Sequence, residues 1–188
     1  MNIFVLDLDP TKAAQLQCDK HVGGKMATES AQMLSTSHRM IDGIALPRLT
    51  KSGLPSKRMY YTHPVLDDIL YKSVHENHPC TIWTNTTDSN YIWHYKHFMA
   101  LCKEYTYRYG KIHACETKFC EVLSTPPKNI PKGPLTKHLL AMKINPECMF
   151  PEDPVKSYRL FYQTKQERFK MVWSKRPIPE WFKVKETT

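Results

Sequence analysis

The sequence predicts a mainly α, single-domain fold: an irregular helical bundle with a short extended N-terminal segment and long proline-rich loops. Its 188 residues suffice for one ordinary domain with a buried core and are few for two. Apolar residues make up 41% and charged residues 24%, which excludes a disordered chain. Apolar residues recur at helical spacing in several segments, which favours helices over strands.

The elements of the N-terminal half follow in order. Residues 3–9 (IFVLDLD) alternate enough for a short extended segment in the core. A proline then permits a helix, which a pair of glycines interrupts before a longer helix predicted over 25–41. Residues 43–64 contain three prolines and two glycines, so a long irregular loop is expected there. A short helix is predicted at 65–74.

The C-terminal half contains the strongest helical pattern, at 88–109, where apolar residues step by three and four. A further helix is predicted over 112–123, and the proline-rich segment 124–134 ends it. The last long helix is predicted over 154–173, and the tail at 176–188 is expected to be extended and partly packed. The predicted apolar seam of the strongest helix comprises Ile92, Tyr95, Met99, Cys102, Thr106 and Tyr109.

Charge is distributed unevenly along the chain. The 27 Lys and Arg exceed the 18 Asp and Glu by nine. Residues 1–50 are balanced, residues 51–110 carry +2, and residues 111–188 carry +7. A C-terminal third this basic is typical of a protein that binds a polyanion, most often nucleic acid. A soluble protein with a lysine-rich surface would have the same composition.

Composition also bears on the compartment. No apolar run approaches the ~20 residues that a membrane helix needs. The N-terminus lacks the basic region of a secretory signal. The six cysteines include no C-x-x-C pair, so reduced and packed thiols are expected. We therefore predict an intracellular protein with no membrane partner.

An amine and a carboxylate one helical turn apart form the first candidate site. Lys25 and Glu29 have i,i+4 spacing, so the carboxylate can orient the amine and stabilise a cationic intermediate in acid–base or Schiff-base chemistry. The same spacing occurs in surface ion pairs worth ~0.3–0.5 kcal/mol, and spacing alone favours that simpler interpretation.

Histidines and cysteines at short spacing form the second candidate site. H-x-x-H-x-C at 75–80 and C-x-x-H at 18–21 have the residue types of a zinc site. Their spacing matches no familiar zinc pattern, so we predict no metal. His78 and the proline after it are expected to form a rigid turn that delivers Trp83 to the core or to a ligand.

Aromatic and cationic residues interleave at 93–109 and again at 158–168. This mixture suits base stacking and phosphate contacts in a nucleic-acid-binding protein. It suits equally an ordinary helical core with cations that extend to the surface.

Three short motifs occur in a characteristic order. D-x-H-x(7)-E-x(4)-L starts at Asp19, a His-Pro pair with a following tryptophan starts at His78, and C-x-E-Y-T-x-R occupies 102–108. Together they resemble pyrimidine-dimer DNA glycosylases of the phage endonuclease V type, through a branch of phage proteins. The resemblance covers roughly residues 1–115, a glycosylase-like helical core. Residues 116–188 would then form a basic helical extension packed on it.

The resemblance implies an all-α enzyme that bends duplex DNA, displaces a base and cleaves its N-glycosidic bond without a cofactor. In that family the N-terminal α-amine attacks the sugar C1′, a glutamate on a helix assists, and β-elimination through an imine breaks the backbone. An α-amine has a pKa of ~7.7–8.0 against ~10.4 for lysine, so more of it is neutral near pH 7. Glu29 matches the glutamate position if one residue at Gly23-Gly24 is an insertion.

The resemblance leaves the identity of the amine open. The family exposes it by removing Met1 ahead of a small residue, whereas here Asn2 follows and usually retains the methionine. The amine then comes from Met1, from Asn2 if the methionine is removed, or from Lys25, or the lyase chemistry is absent.

Double-stranded DNA is the partner that this interpretation implies, with no obligatory protein partner. The residues expected to contact DNA are Lys20, His21, Arg39, His78, His97, Arg108, Lys111, Arg159 and Arg168. Three alternatives remain. The first is a non-catalytic nucleic-acid-binding protein. The second is an enzyme of nucleotide or hypermodified-base metabolism, whose small polar pocket Lys25, Glu29, His78 and Arg108 would line. The third is a metal-dependent hydrolase.

Overall fold

A computed structural model describes residues 2–50 and 52–185, the side chains at positions 48, 57 and 58 excepted, and confirms the mainly α, single-domain fold. The helices are α1 (Pro10–Gln15), α2 (Asp19–Val22), α3 (Met26–Asp42), α4 (Pro79–Thr86), α5 (Asp88–Tyr109), α6 (Ala114–Phe119) and α7 (Pro154–Gln163). Two strands, β1 (Ile44–Leu49) and β2 (Pro55–Thr62), follow α3. Short 3₁₀ turns occupy Pro146–Cys148 and Thr164–Glu167.

Local signals at both ends explain why α5 has the predicted bounds. The Thr87 hydroxyl accepts a hydrogen bond from the Asn90 amide at 3.2 Å, which caps the first turn. Gly110 ends the helix in the left-handed conformation, at φ +67°, where glycine avoids the strain of a Cβ. The predicted helix over 25–41 is confirmed as α3, one residue displaced.

The irregular loop predicted over 43–64 was wrong, because β1 and β2 pair there as an antiparallel hairpin. In a two-stranded sheet each strand has one unpaired edge, so the prolines within it are tolerated. Gly43 permits the tight junction with α3, since a Cβ there would lie 2.1 Å from the Arg39 carbonyl oxygen. The short helix predicted at 65–74 was also wrong, and turns occupy 64–69.

The predicted helices over 112–123 and 154–173 are shorter in the structure, as α6 and α7. At the end of α7 the Thr164 hydroxyl donates to the Phe161 carbonyl oxygen at 2.8 Å. Such a bond gives the backbone an alternative to the α-helical ladder, and the chain continues as a 3₁₀ turn.

The extended N-terminal segment is confirmed and runs through the core, since residues 3–6 are almost fully buried. The Ile3 amide donates to Cys80 Sγ at 3.3 Å in α4. Arg159 Nε in α7 donates to the Leu6 carbonyl oxygen at 2.9 Å. The chain beyond residue 115 therefore completes the packing around the first residues.

The buried face of α5 differs from the predicted seam. Ile92, which belongs to that seam, is 38% exposed, whereas Glu104 and Arg108 are buried. Charged side chains are buried when paired, and the partners of these two come from distant parts of the chain.

Within the described residues, no helix combines the length and the apolar character needed to cross a bilayer. The six cysteines are free thiols, and all but Cys120 are buried.

Candidate active site

A cleft of about 1440 Å³ opens between α2, α3 and α5 on one side and the C-terminal third of the chain on the other. We call it the basic cleft. Its basic lining residues are Lys20, Lys25, Lys111, Lys143, Lys165, Arg168 and Lys170. Two acidic residues, Asp19 and Glu29, also line it. The excess of positive charge in a concave surface favours an anionic ligand.

The basic cleft brings together seven of the residues predicted for the site. They are Asn2, Lys20, His21, Lys25, Glu29, Lys111 and Arg168. Met1, the other predicted source of the amine, lies outside the described residues. Residues that are up to 166 positions apart in the sequence thus share one surface.

Lys25 and Glu29 lie where the chain turns from α2 into α3. Lys25 is exposed at the start of α3, and the Glu29 amide donates to its carbonyl oxygen at 2.8 Å. Glu29 is half-buried in the first helical turn, where the helix dipole favours a carboxylate. Burial, with a further contribution from the Glu29 charge, raises the pKa of the Cys80 thiol to about 11.

Asn2 lies in the wall of the cleft and is held there by its side chain. Its Nδ2 donates to the Ala141 carbonyl oxygen at 3.2 Å, and Cys80 Sγ donates to its Oδ1 at 3.5 Å. The side chain of Asn2 therefore anchors the extended segment to the C-terminal third.

His21 lies in the cleft as a neutral ring. It stacks on Phe4 at 4.7 Å between ring centroids, and its Nδ1 lies 2.6 Å from the Tyr162 hydroxyl oxygen. Burial and the charge of Lys165 lower its pKa to about 4. The ring is therefore uncharged, so His21 offers a ligand a hydrogen bond but no charge.

Arg108, by contrast, forms part of a buried ionic network beneath the cleft. Its Nη1 donates to Asp19 Oδ1 at 2.8 Å and its Nε to Glu104 Oε1 at 2.7 Å. Arg176 Nη2 donates to Glu104 Oε2 at 2.8 Å. The predicted DNA contact of Arg108 was wrong, because its side chain is 0% exposed and its three nitrogens donate to Glu104, Asp19 and the Gln15 carbonyl oxygen.

Arg39 and His97 were also wrongly predicted to contact DNA. Arg39 is 3% exposed, donates to the Tyr71 carbonyl oxygen at 2.7 Å and pairs with the Asp67 carboxylate. His97 is 0% exposed, and its Nδ1 lies 2.9 Å from the Pro10 carbonyl oxygen. Both side chains hold the fold together, so neither presents an atom to a bound duplex.

His78 and Arg159 lie outside the lining of the cleft. The His78 ring accepts a hydrogen bond from the Cys80 amide at 3.2 Å and so caps α4, the rigid turn that was expected. Arg159 donates to the Leu6 carbonyl oxygen, and its guanidinium carbon lies 5.5 Å from the Trp181 ring centroid. Both side chains are partly exposed, so their DNA contacts stay predictions for a surface outside the cleft.

Residues without a predicted role complete the cleft, among them Lys143, Phe4 and Phe169. Other lining residues belong to the basic C-terminal third or to the segments of interleaved aromatic and cationic residues that the sequence singled out: Lys165, Lys170, Tyr105, Tyr109 and Phe161. The positive excess beyond residue 110 signalled cations in this part of the chain. Which of the C-terminal lysines face the cleft depends on packing that the charge pattern does not encode.

Among the described residues, one group of His, Cys, Asp and Glu has atoms close enough to share a metal ion, namely His38, Asp42 and His63. It does not coincide with the predicted histidine and cysteine motifs. His63 Nδ1 accepts the amides of Val65 and Leu66 at 3.2 and 3.0 Å, so the ring proton resides on Nε2. A protonated Nε2 has no lone pair for a metal, so these residues do not fit an ion.

No protein-family model, no curated protein and no solved structure matches this chain.

Proposed function

We propose that the chain is a DNA-acting enzyme, a base-excising glycosylase and abasic-site lyase that acts on damaged or modified pyrimidines through an amine in the basic cleft. One observation carries the proposal: Lys25 and Glu29 lie in one cleft together with six further basic side chains. Amine, carboxylate and phosphate-binding groups are the parts that this chemistry requires.

The size and charge of the cleft support a nucleic-acid ligand. Pockets for small molecules usually measure ~300–1000 Å³. The basic cleft exceeds that range at about 1440 Å³, which suits a displaced nucleotide together with its flanking phosphates. The cations at its rim supply the backbone contacts that offset the few kcal/mol needed to unstack a base.

The aromatic lining suits a displaced base. Stacking of a base on an aromatic ring is worth ~1–3 kcal/mol, and Tyr105, Tyr109 and Phe169 line the cleft. The neutral ring of His21 can form a hydrogen bond with a pyrimidine without attracting phosphate by charge.

The reaction we propose is a displacement at C1′. An uncharged amine forms a bond to C1′ while the C1′–N1 bond breaks, and the base leaves with the bonding electrons and takes up a proton. Glu29 stabilises the positive charge that develops on the sugar. Ring opening gives an imine to C1′. Removal of a proton from C2′ then expels the 3′ phosphate and breaks the strand.

Borohydride trapping on duplex DNA tests the proposal. With an abasic-site duplex, the full chain is expected to form a covalent adduct, and with damaged or modified pyrimidines it is expected to release the base. Glu29→Gln is expected to lower both rates at least ~100-fold, as for loss of a general acid–base group. Glu121→Gln, an exposed carboxylate outside the cleft, is the matched control.

Absence of an adduct with the wild-type chain, or an adduct undiminished in Glu29→Gln, would contradict the proposal. Salt-dependent duplex binding with neither base release nor adduct would instead favour a non-catalytic nucleic-acid-binding protein. Of the four residues expected to line the pocket of a nucleotide-metabolising enzyme, Lys25 and Glu29 line the cleft, whereas His78 and Arg108 do not.

A further inference from the structure

Lys165 differs from the exposed lysines of the basic cleft in its surroundings. It lies at the start of the 3₁₀ turn after α7, and its side chain is half-buried. Its Nζ lies 3.5 Å from the centroid of the Phe161 ring, which also lines the cleft. The amine therefore contacts the cleft with one side against an aromatic face instead of water.

Burial, and after it the positive charge of Arg168, lower the pKa of the Lys165 amine, while Cys148 acts in the opposite direction. The face of the Phe161 ring stabilises an ammonium and so opposes part of this effect. Desolvation and a neighbouring cation are the two means by which proteins activate a lysine as a nucleophile.

The other lysines of the cleft lack this combination. Lys20, Lys25, Lys111, Lys143 and Lys170 are exposed to water, where a flexible lysine side chain suits a phosphate contact.

We propose that Lys165 supplies the amine of the imine intermediate, with an aldehyde-bearing abasic sugar in duplex DNA as its partner. This inference rests on the proposed function. The Nζ lone pair attacks C1′ of the open-chain aldehyde, the carbonyl oxygen leaves as water, and a C=N bond to Lys165 remains. Borohydride reduces that bond by delivering hydride to C1′, which leaves a stable secondary amine.

Mapping the adduct tests the assignment. The wild-type chain is trapped on an abasic-site duplex with borohydride, digested, and the modified peptide is sequenced by mass spectrometry. The modification is expected on Lys165. Lys165→Arg, which keeps the charge, is expected to lose at least 90% of the adduct. Lys128→Arg, at an exposed lysine outside the cleft, is expected to retain it.

The outcomes separate this inference from the proposed function. An adduct on Lys25, or on the N-terminal amine, would overturn the role of Lys165 and leave the glycosylase–lyase proposal standing. Absence of any adduct would overturn both.

A second measurement does not depend on catalysis. Competitive labelling of the free protein with acetic anhydride over a range of pH reports the reactivity of each lysine. Lys165 is expected to become reactive at lower pH than Lys170, and equal profiles would overturn the inference. Lys165→Met keeps the contact with Phe161 and, if folded by circular dichroism, shows that loss of the adduct reflects loss of the amine.

Discussion

Arg108 Nη1 donates a hydrogen bond to Asp19 Oδ1 over 2.8 Å and so joins the end of α5 to α2. Asp19 begins one of the sequence motifs, and Arg108 ends another, at 102–108. Their contact shows that the motif at 102–108 holds the motif that starts at Asp19 in place. Lys20 and His21, which follow Asp19 directly, thereby keep their positions in the basic cleft.

Replacing Arg108 with methionine is expected to destabilise the protein by about 1.5–3 kcal/mol, because it removes hydrogen bonds between charged groups. Glu104 keeps its pair with Arg176, and Asp19 keeps its hydrogen bonds from Ser174, which limits the loss. Urea unfolding measures the effect. Arg168→Met removes an exposed guanidinium from the cleft and is expected to change stability by less than about 0.5 kcal/mol. Equal losses in the two variants would contradict the structural role of Arg108.

Neutralising the cations of the cleft is expected to weaken duplex binding and reduce its salt dependence. The combined variant Lys143→Gln, Arg168→Gln, Lys170→Gln should lower the slope of log K against log salt by about 0.9 for each DNA phosphate that it no longer neutralises. Fluorescence anisotropy at several salt concentrations measures it. The matched control replaces three lysines outside the cleft and removes the same charge.

The control variant is Lys72→Gln, Lys96→Gln, Lys128→Gln, whose members are exposed and do not line the cleft. If both variants lower the slope equally, binding depends on overall charge and the cleft has no special part in it.

His97 is expected to make the protein less stable in acid. Burial lowers its pKa to about 4, against 6.5 for the free side chain. Between these values the unfolded chain binds a proton that the folded chain excludes, so stability is complete above pH 6.5 and falls as the pH drops toward 4. At pH 5 the cost is about 2 kcal/mol, at 1.36 kcal/mol per pH unit.

His97→Asn retains an amide that can donate to the Pro10 carbonyl oxygen and removes the titrating ring. It is expected to have a shallower dependence of unfolding free energy on pH between 6.5 and 4 than the wild type. His75→Asn, at an exposed position, is the control. Parallel curves for His97→Asn and the wild type would contradict the burial of a neutral imidazole.

Replacing Gly23 with alanine is expected to destabilise the wild-type protein but to stabilise a variant that lacks the Tyr109 side chain. A Cβ at Gly23 would lie 2.6 Å from the Tyr109 hydroxyl oxygen, which donates to the Asp19 carbonyl oxygen at 3.1 Å. Gly23→Ala should therefore displace the ring and lose that hydrogen bond, at about 1 kcal/mol. In a Tyr109→Ala background the same change should stabilise by about 0.4–1 kcal/mol, because alanine restricts the unfolded chain. A double-mutant cycle in urea measures both, and one sign in both backgrounds would contradict the contact.

The helices α3 and α5 could be predicted from sequence because their signals are local. Periodicity, the cap at Thr87 and the glycine at 110 act within a few residues of the elements they define. The hairpin of β1 and β2 was missed because its pairing joins residues up to 18 positions apart, such as Ile44 and Thr62, and its prolines resemble loop signals.

The candidate site was predicted unevenly for a similar reason. Lys25 and Glu29 form a local pair whose spacing is visible in the sequence. Arg39 and Arg108 were expected at the surface because charged side chains are rarely buried unless paired. Arg39 pairs with Asp67, 28 positions away, and Arg108 pairs with Asp19, 89 positions away. No local sequence pattern predicts either pair.

The burial of residues 3–6 affects how the protein folds during its synthesis on the ribosome. Leu6 accepts its hydrogen bond from Arg159, which is 153 positions later in the chain. At a translation rate of about 5–20 residues per second, roughly 8–30 s pass between the synthesis of Leu6 and the synthesis of Arg159, which packs over it. During that interval its hydrophobic side chains are open to chaperones or to other nascent chains. This core is therefore completed only after residue 159 has been synthesised.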